Sequence, residues 1–222
     1  MDFPKVTPIR RDFLEAATAL YATDLKGSTV AVDFLKSRGI SGEVAQHFRL
    51  GYVSEPMENH DGMQGMLSIP YVTPSGVSAI RFRRLHGDGH KYHQETGSFS
   101  PLFNVRDLHR PEPYLAICEG ELDAIVMSGM VNIPAIAIPG TGQWGKRGKF
   151  YARLMQDYTK IFVVMDPDKP GQEIVPAIMK MVANPVNIIL PADVNDTFLR
   201  DGVEGIRREL GLWENVPELL SA

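Results

Sequence analysis

The sequence predicts an α/β chain: a mainly parallel sheet flanked by helices, preceded by a smaller α+β subdomain that carries a cluster of basic side chains. Three observations predict it. Apolar residues recur at helical spacing through the first 50 positions. The period drops to two from about residue 65, and from residue 114 short uninterrupted apolar runs alternate with helical stretches. Such runs fit a parallel sheet covered on both faces, which places ligands beyond the carboxyl ends of its strands.

The elements follow in order. "RDFLEAATALYATDL" puts Phe13, Leu14, Ala17, Leu20 and Tyr21 on one helical face, and "STVAVDFLKSRG" is a helix with Ser28 as N-cap and Gly39 as its stop. "SGEVAQHFRLG" reads as a third, short helix. "MLSIPYV", the turn "TPSG" and "VSAIRFRRL" form a β-hairpin, after which "HGDGH" turns the chain into "KYHQ". From there "YLAIC", "IPAIAI", "KIFVVM" and "VNIIL" read as strands, with "ELDAIVMSGM", "KFYARLMQDY" and "QEIVPAIMKMV" as the helices between them. The texture changes at "HRPEP". The expected domains are therefore 1–110 (helices, then a basic antiparallel sheet), 111–200 (the parallel unit) and 201–222 (a helical tail).

Composition bounds the function. At 222 residues, 44% hydrophobic and 23% charged, the chain has ordinary globular usage and can bury a sizeable core. Its net charge of −4 excludes nucleic-acid binding through bulk charge. Residues 1–110 hold 13 Lys+Arg against 12 Asp+Glu, and residues 111–222 hold 10 against 15, so a polyanion would have to meet a local basic patch. The single cysteine, Cys118, allows neither an internal disulfide nor a thiolate zinc cage, which fits a reducing cytoplasm. No apolar run reaches the roughly 18–20 residues that span a bilayer, so no membrane partner is expected. His86, His90, His93 and His109 lack a tight ligand spacing, and no zinc is expected in this chain.

Two strand exits are acidic. Glu119 leaves the first strand in "CEGELD", Asp123 sits one helical turn later, and Asp166 and Asp168 leave the third strand in "MDPDKPG". If the exits converge, two carboxylates about 4 Å apart repel by about 4 kcal/mol at an effective dielectric of 20. A hard cation relieves that repulsion, so the expected cofactor is Mg²⁺ or Mn²⁺ acting in phosphoryl chemistry. Taken alone, "DPDKPG" reads equally as a turn or a helix cap. In the alternation pattern, Arg81 and Arg83 share one strand face while Arg84 points to the other, and Lys91 and Tyr92 follow the turn. "KRGKFYAR" places Lys146, Arg147, Lys149 and Arg153 after a glycine turn, where they either face nucleic acid or cover a helix surface.

"EGELDA" after an apolar strand, followed by "VVMDPDKPGQE", resembles the TOPRIM signature of primases, topoisomerases, small recombination proteins and some nucleases. "GTGQW" resembles the turn after the second TOPRIM strand. "ILPADVNDTFLRDG" looks like the downstream acidic segment of primases, which implies that Asp193 and Asp196 lie near the same metals. "FLKSRGISGEVAQHFRLGYV" and "IRFRRLHGDGHKYHQETGSFSPLFN" are similar to the polymerase domain of DnaG-type primases, and Arg83 and Lys91 match that family's basic positions. The resemblance covers most of residues 28–200. It departs from the family pattern at Met66, where an Arg is common, and no zinc-binding or helicase segment is recognised.

The resemblance implies a DNA primase catalytic core that makes short RNA primers by nucleotidyl transfer. Its partners would be single-stranded DNA template and ribonucleoside triphosphates, together with a replicative helicase and a zinc-binding primase module acting in trans. Its place would be the cytoplasm of a bacterium or a phage-infected host. Glu119, Asp166 and Asp168 are the expected catalytic acids, with Glu119 either a metal ligand or a proton acceptor. Asp123, Asp193 and Asp196 join them as metal ligands. Arg81, Arg83, Arg84, Lys91, Tyr92 and Lys146 are the expected contacts to nucleic acid or nucleotide. A TOPRIM nuclease and a non-catalytic ssDNA-binding replication protein are the rival readings.

Overall fold

The computed structural model describes residues 6–95, 101–138 and 141–212, leaving aside the side chains of 141–143. The turn glycine Gly140 and the end of the expected tail, 213–222, lie outside the described residues.

Helix α1 (Pro8–Leu25) is opened by Thr7, whose side chain accepts from the Arg10 amide, and buries Leu14, Ala17, Tyr21 and Leu25. Leu20, expected on that face, is exposed, because the stripe that packs runs through positions 14, 17, 21 and 25. Helix α2 (Thr29–Ser37) has Ser28 as its N-cap, as expected. It ends at Gly39, whose φ of +73° suits glycine, with the Ile40 and Gly39 amides donating to Leu35 and Lys36. Helix α3 (Gly42–His47) follows at once from the cap Ser41.

The hairpin expected from the period-two segment forms strands β2 (Met66–Thr73) and β3 (Gly76–Arg84), flanked by β1 (Gly51–Tyr52) and β4 (Tyr92–Gln94) in one antiparallel sheet. Strands β5 (Tyr114–Cys118), β6 (Ala135–Ala137), β7 (Lys160–Val164) and β8 (Pro185–Asn187) build the second sheet in the order β6-β5-β7-β8, and every pair is parallel. The crossovers are α4 (Glu121–Ile125) continued by a π-helical turn, α5 (Thr141–Leu154) and α6 (Lys169–Met181), and α7 (Val194–Glu209) follows β8. The last strand stops short of "IIL", since Ile189 turns to solvent.

Alternation fixes the layers. Leu115, Ile117, Ile161 and Val163 pack under α5 and α6 around Trp144, Tyr151 and Ile178. Their neighbours Ala116, Cys118, Phe162 and Val164 face the other way, into a core shared with α2, α3, α4, α7 and the Leu67, Ile69, Tyr71 face of the antiparallel sheet. The opposite face of that sheet, with Val77, Ile80 and Phe82, packs on α1. One continuous core thus crosses residue 110, and α7 runs through residue 200 with a kink at Gly202. This is the expected fold class, a parallel sheet flanked by helices and preceded by a smaller α+β subdomain. No helix of the described residues is long and apolar enough to cross a membrane.

Candidate active-site cleft

The carboxyl ends of β5 and β7 are neighbours, since Cys118 pairs with Val164, so the residues that leave them emerge side by side. Glu119 and Asp166 are held together by the Asp166 amide, which donates to Glu119 Oε2 at 3.3 Å. Asp168 caps α6, its Oδ1 accepting from the Gly171 amide at 2.9 Å, and Asp193 caps α7 through the Asp196 amide at 2.7 Å. The plain capping role of these aspartates is therefore real, and it aims two helix N-termini at the same place. Glu119, Asp123, Asp166, Asp168, Asp193 and Asp196 all line one cleft of about 580 Å³.

The antiparallel sheet supplies the facing wall. Arg81, Arg83, Lys91 and Tyr92 line the same cleft. Arg83 donates to the Tyr92 hydroxyl at 2.5 Å, and the guanidinium groups of Arg81 and Arg83 lie 4.6 and 5.0 Å from the Tyr92 ring centre. Arg84 lies on the opposite strand face beside His93, away from the acids, as alternation along β3 requires. Lys146 is also absent from the cleft. It lies on α5, more than a turn past the exit of β6, in a separate groove.

Four further residues join the cleft or its wall without a local sequence signal. Arg38, at the end of α2, reaches Asp193 at 4.0 Å, while Asn195 donates to the Arg38 carbonyl at 2.8 Å and ties α7 to α2. Glu121 turns inward between Glu119 and Asp123. Its Oε1 accepts from Arg81 and from the Tyr71 hydroxyl, each at 2.5 Å, and it is almost wholly buried. Arg81, read from sequence as a nucleic-acid contact, is thus already paired with a carboxylate.

Burial first, and crowding of like charge second, set the electrostatics. Asp123 is buried, and burial with the charges of Asp166 and Asp193 pushes its pKa up to about 8. Burial, then Asp166, raises Glu119, and burial, then Asp193 and Asp168, raises Asp166. These acids are under-neutralised by the protein. Seven carboxylates line the cleft against four cations, one of which is taken by Glu121. An all-oxygen donor set of this kind suits a hard cation. Among the described residues no three His, Cys, Asp or Glu side chains are gathered closely enough to hold an ion by themselves. The fit is to Mg²⁺ or Mn²⁺ held by a carboxylate or two, with water and phosphate oxygens completing the shell.

No protein-family model matches the chain. The Gene 57 protein of Mycobacterium phage D29 is 32% identical over 150 residues, which cover 64% of this chain and 96% of that protein. The chain belongs to the family of that Gene 57 protein. Among solved structures, the zinc-binding and RNA polymerase domains of the Aquifex aeolicus primase match this Gene 57-family chain with a TM-score of 0.75 at 21% identity. That match covers 95% of this chain and 63% of the Aquifex chain, so the present chain spans less than two thirds of that neighbour's length. The RNA polymerase domain of Mycobacterium tuberculosis primase DnaG gives a TM-score of 0.71 at 20% identity, covering 93% and 84%. A DnaG primase catalytic domain bound to ssDNA gives 0.69 at 17%, covering 90% and 77%. The fold of this Gene 57-family chain is that of the DnaG-type primase catalytic core.

Proposed function

We propose that this chain is the catalytic core of a DNA primase, joining ribonucleotides into short primers on single-stranded DNA by divalent-metal-dependent nucleotidyl transfer. One observation carries the reading. The acids leaving β5 and β7 and capping α7 share a cleft with Arg83, Lys91 and Tyr92 from the antiparallel sheet, on the fold of primase cores. A TOPRIM nuclease would use the same acids but has no need of the stacked basic wall.

Glu119, Asp166 and Asp168 would hold Mg²⁺ or Mn²⁺, with Asp123, Asp193 and Asp196 beside them. The bound cation would supply charge stabilisation at the transferred phosphorus. The protein's own groups do the rest. Arg83 and Lys91 bind phosphate, and their charge is what makes a polyanion tolerable next to the acids. The N-termini of α6 and α7 add partial positive charge toward the same volume. Tyr92, with two guanidinium groups over its ring, holds the basic wall in place. Glu119 would either hold the cation or take the proton of the attacking hydroxyl. A zinc-binding primase module and a replicative helicase would be its partners.

The test is primer synthesis on single-stranded DNA with ribonucleoside triphosphates and Mg²⁺ or Mn²⁺, with and without an added zinc-domain protein. Glu119→Gln and Asp166→Asn are each expected to lose about a hundredfold or more in rate. Undiminished synthesis in both variants would sink the site. Metal-dependent cutting of DNA without synthesis would replace the reading with a nuclease, and tight ssDNA binding with no metal affinity would replace it with a non-catalytic replication protein.

A further inference from the structure

The cleft poses a charge problem for any nucleic-acid strand that must stay bound while chemistry proceeds. Its lining is formally more acidic than basic even after Arg38, Arg81, Arg83 and Lys91 are counted. Arg81 is moreover committed to Glu121. A cation can balance the acids locally, but little attraction is left over for a long polyanion. The affinity for the strand has to come from elsewhere on the molecule.

A second groove, of about 1010 Å³, lies between α5 and the end of α6 and shares no lining residue with the cleft. Lys146, Arg147, Lys149 and Arg153 of α5 line it together with Lys180 from the last turn of α6, and no carboxylate is among its lining residues. Lys146, Lys149, Phe150 and Arg153 stand at positions i, i+3, i+4 and i+7, so one helix face carries three cations around a ring. That ring is 40% exposed and meets the Tyr151 ring edge-on at 5.9 Å between centroids. Five cations beside an exposed aromatic are the elements of a single-strand platform: charge for the phosphates and a π face for a base. Helix α6 links the two places. Asp168 caps it at the cleft, and Lys180 lies about 18 Å further along its axis at a rise of 1.5 Å per residue.

We infer that the α5–α6 groove is a second nucleic-acid contact, which grips the phosphate backbone of single-stranded DNA beyond the stretch held in the cleft. The inference takes from the proposed function only that the ligand is nucleic acid. It gives Lys146 a role outside the catalytic cleft and predicts that strand retention and catalysis reside on different surfaces.

The experiment uses the full chain and fluorescence anisotropy with a single-stranded oligonucleotide of about 30 nucleotides, longer than one typical single-strand site, across a salt series. Lys149→Gln/Arg153→Gln/Lys180→Gln, with a melting temperature equal to the parent's, is expected to bind roughly tenfold or more weakly, and the slope of log affinity against log salt is expected to fall by about two, at about 0.7 per lost phosphate contact on a single strand. Arg83→Ala/Lys91→Ala is the comparison, and its loss in log affinity should add to that of the triple variant because the sites share no residue. Affinity and slope equal to the parent's in the triple variant would overturn the inference, leaving the groove a solvated charged face, while primer synthesis could still stand. A parent chain that makes no primers, yet loses affinity in the triple variant, would overturn the enzymatic reading and leave this one in place.

Discussion

His60 illustrates how a single buried side chain sets a condition on stability. It is 1% exposed and enclosed by Phe13, Tyr21 and Phe82. The Tyr21 hydroxyl accepts from the Met57 amide and shares a hydrogen bond of 2.9 Å with His60 Nδ1. Burial and the Arg10 charge, opposed by Asp61, hold the pKa down near 4, while Glu95 stands 3.9 Å from Nε2, too far for a hydrogen bond. The unfolded chain therefore takes up this proton first as pH falls. The stability tied to neutral His60 is present in full above about pH 6.5 and is lost as pH falls toward 4, by about 2–3 kcal/mol. Urea unfolding of the parent and of His60→Phe at pH 7 and pH 4.5 checks this. The two should differ in their pH dependence by about that amount, and parallel curves would refute the assignment. The comparison with the variant matters because burial and mutual repulsion raise Glu119, Asp123 and Asp166, so acidification stabilises the metal-free cleft and works in the opposite direction.

At the scale of elements, the site depends on how closely α6 approaches the strand exits. A Cβ placed on Gly171 would sit 2.5 Å from the Asp166 carbonyl oxygen and 2.6 Å from Glu119 Oε2, so the first turn of α6 lies against both of these residues because it has no side chain there. Gly171→Ala is expected to push the helix off, costing about 1–3 kcal/mol and slowing primer synthesis about tenfold or more. Gly145 on α5, where a Cβ would meet nothing within 4 Å, is the control, and Gly145→Ala should be neutral or stabilising. Melting temperatures and rates that do not separate the two variants would show that this close approach has no consequence. The strand exits themselves were legible in the sequence, because strands buried on both faces are uninterrupted apolar runs and their ends are sharp. Asp193 was legible only through the primase resemblance, since in isolation it is one helix cap among several. Lys146 lies outside the cleft because α5 already begins at Thr141 and carries it past the edge of the sheet. Arg38 and Glu121 gave no signal at all. Their roles arise from pairing between segments distant in the chain, Arg38 with Asp193 and Glu121 with Tyr71 and Arg81, and no local spacing encodes that.

For the whole molecule the question is what keeps the acid set and the basic set in register, since each belongs to a different sheet. The shared core supplies area but little direction. The directional link is Glu121, at the start of α4, gripped by Arg81 of β3 and Tyr71 of β2, with Arg81 in turn lying over Tyr92. A buried ion pair contributes little net stability, but removing one partner leaves an uncompensated charge. Arg81→Met alone is therefore expected to cost about 3–5 kcal/mol in urea unfolding, and Tyr71→Phe/Arg81→Met/Glu121→Leu should recover most of that loss. If the pair's function is positioning, the recovered triple variant will fold well and still prime poorly. Its rate should be down roughly tenfold or more, because an error of about an ångström in placing reactive groups is enough to cost that much. A triple variant that is both stable and fully active would reduce the pair to a packing feature. A triple variant that is stable but slow would mean that the two sheets are held at a functional separation by one carboxylate that a reader of the sequence, drawn to Glu119 and Asp123 on either side, passes over.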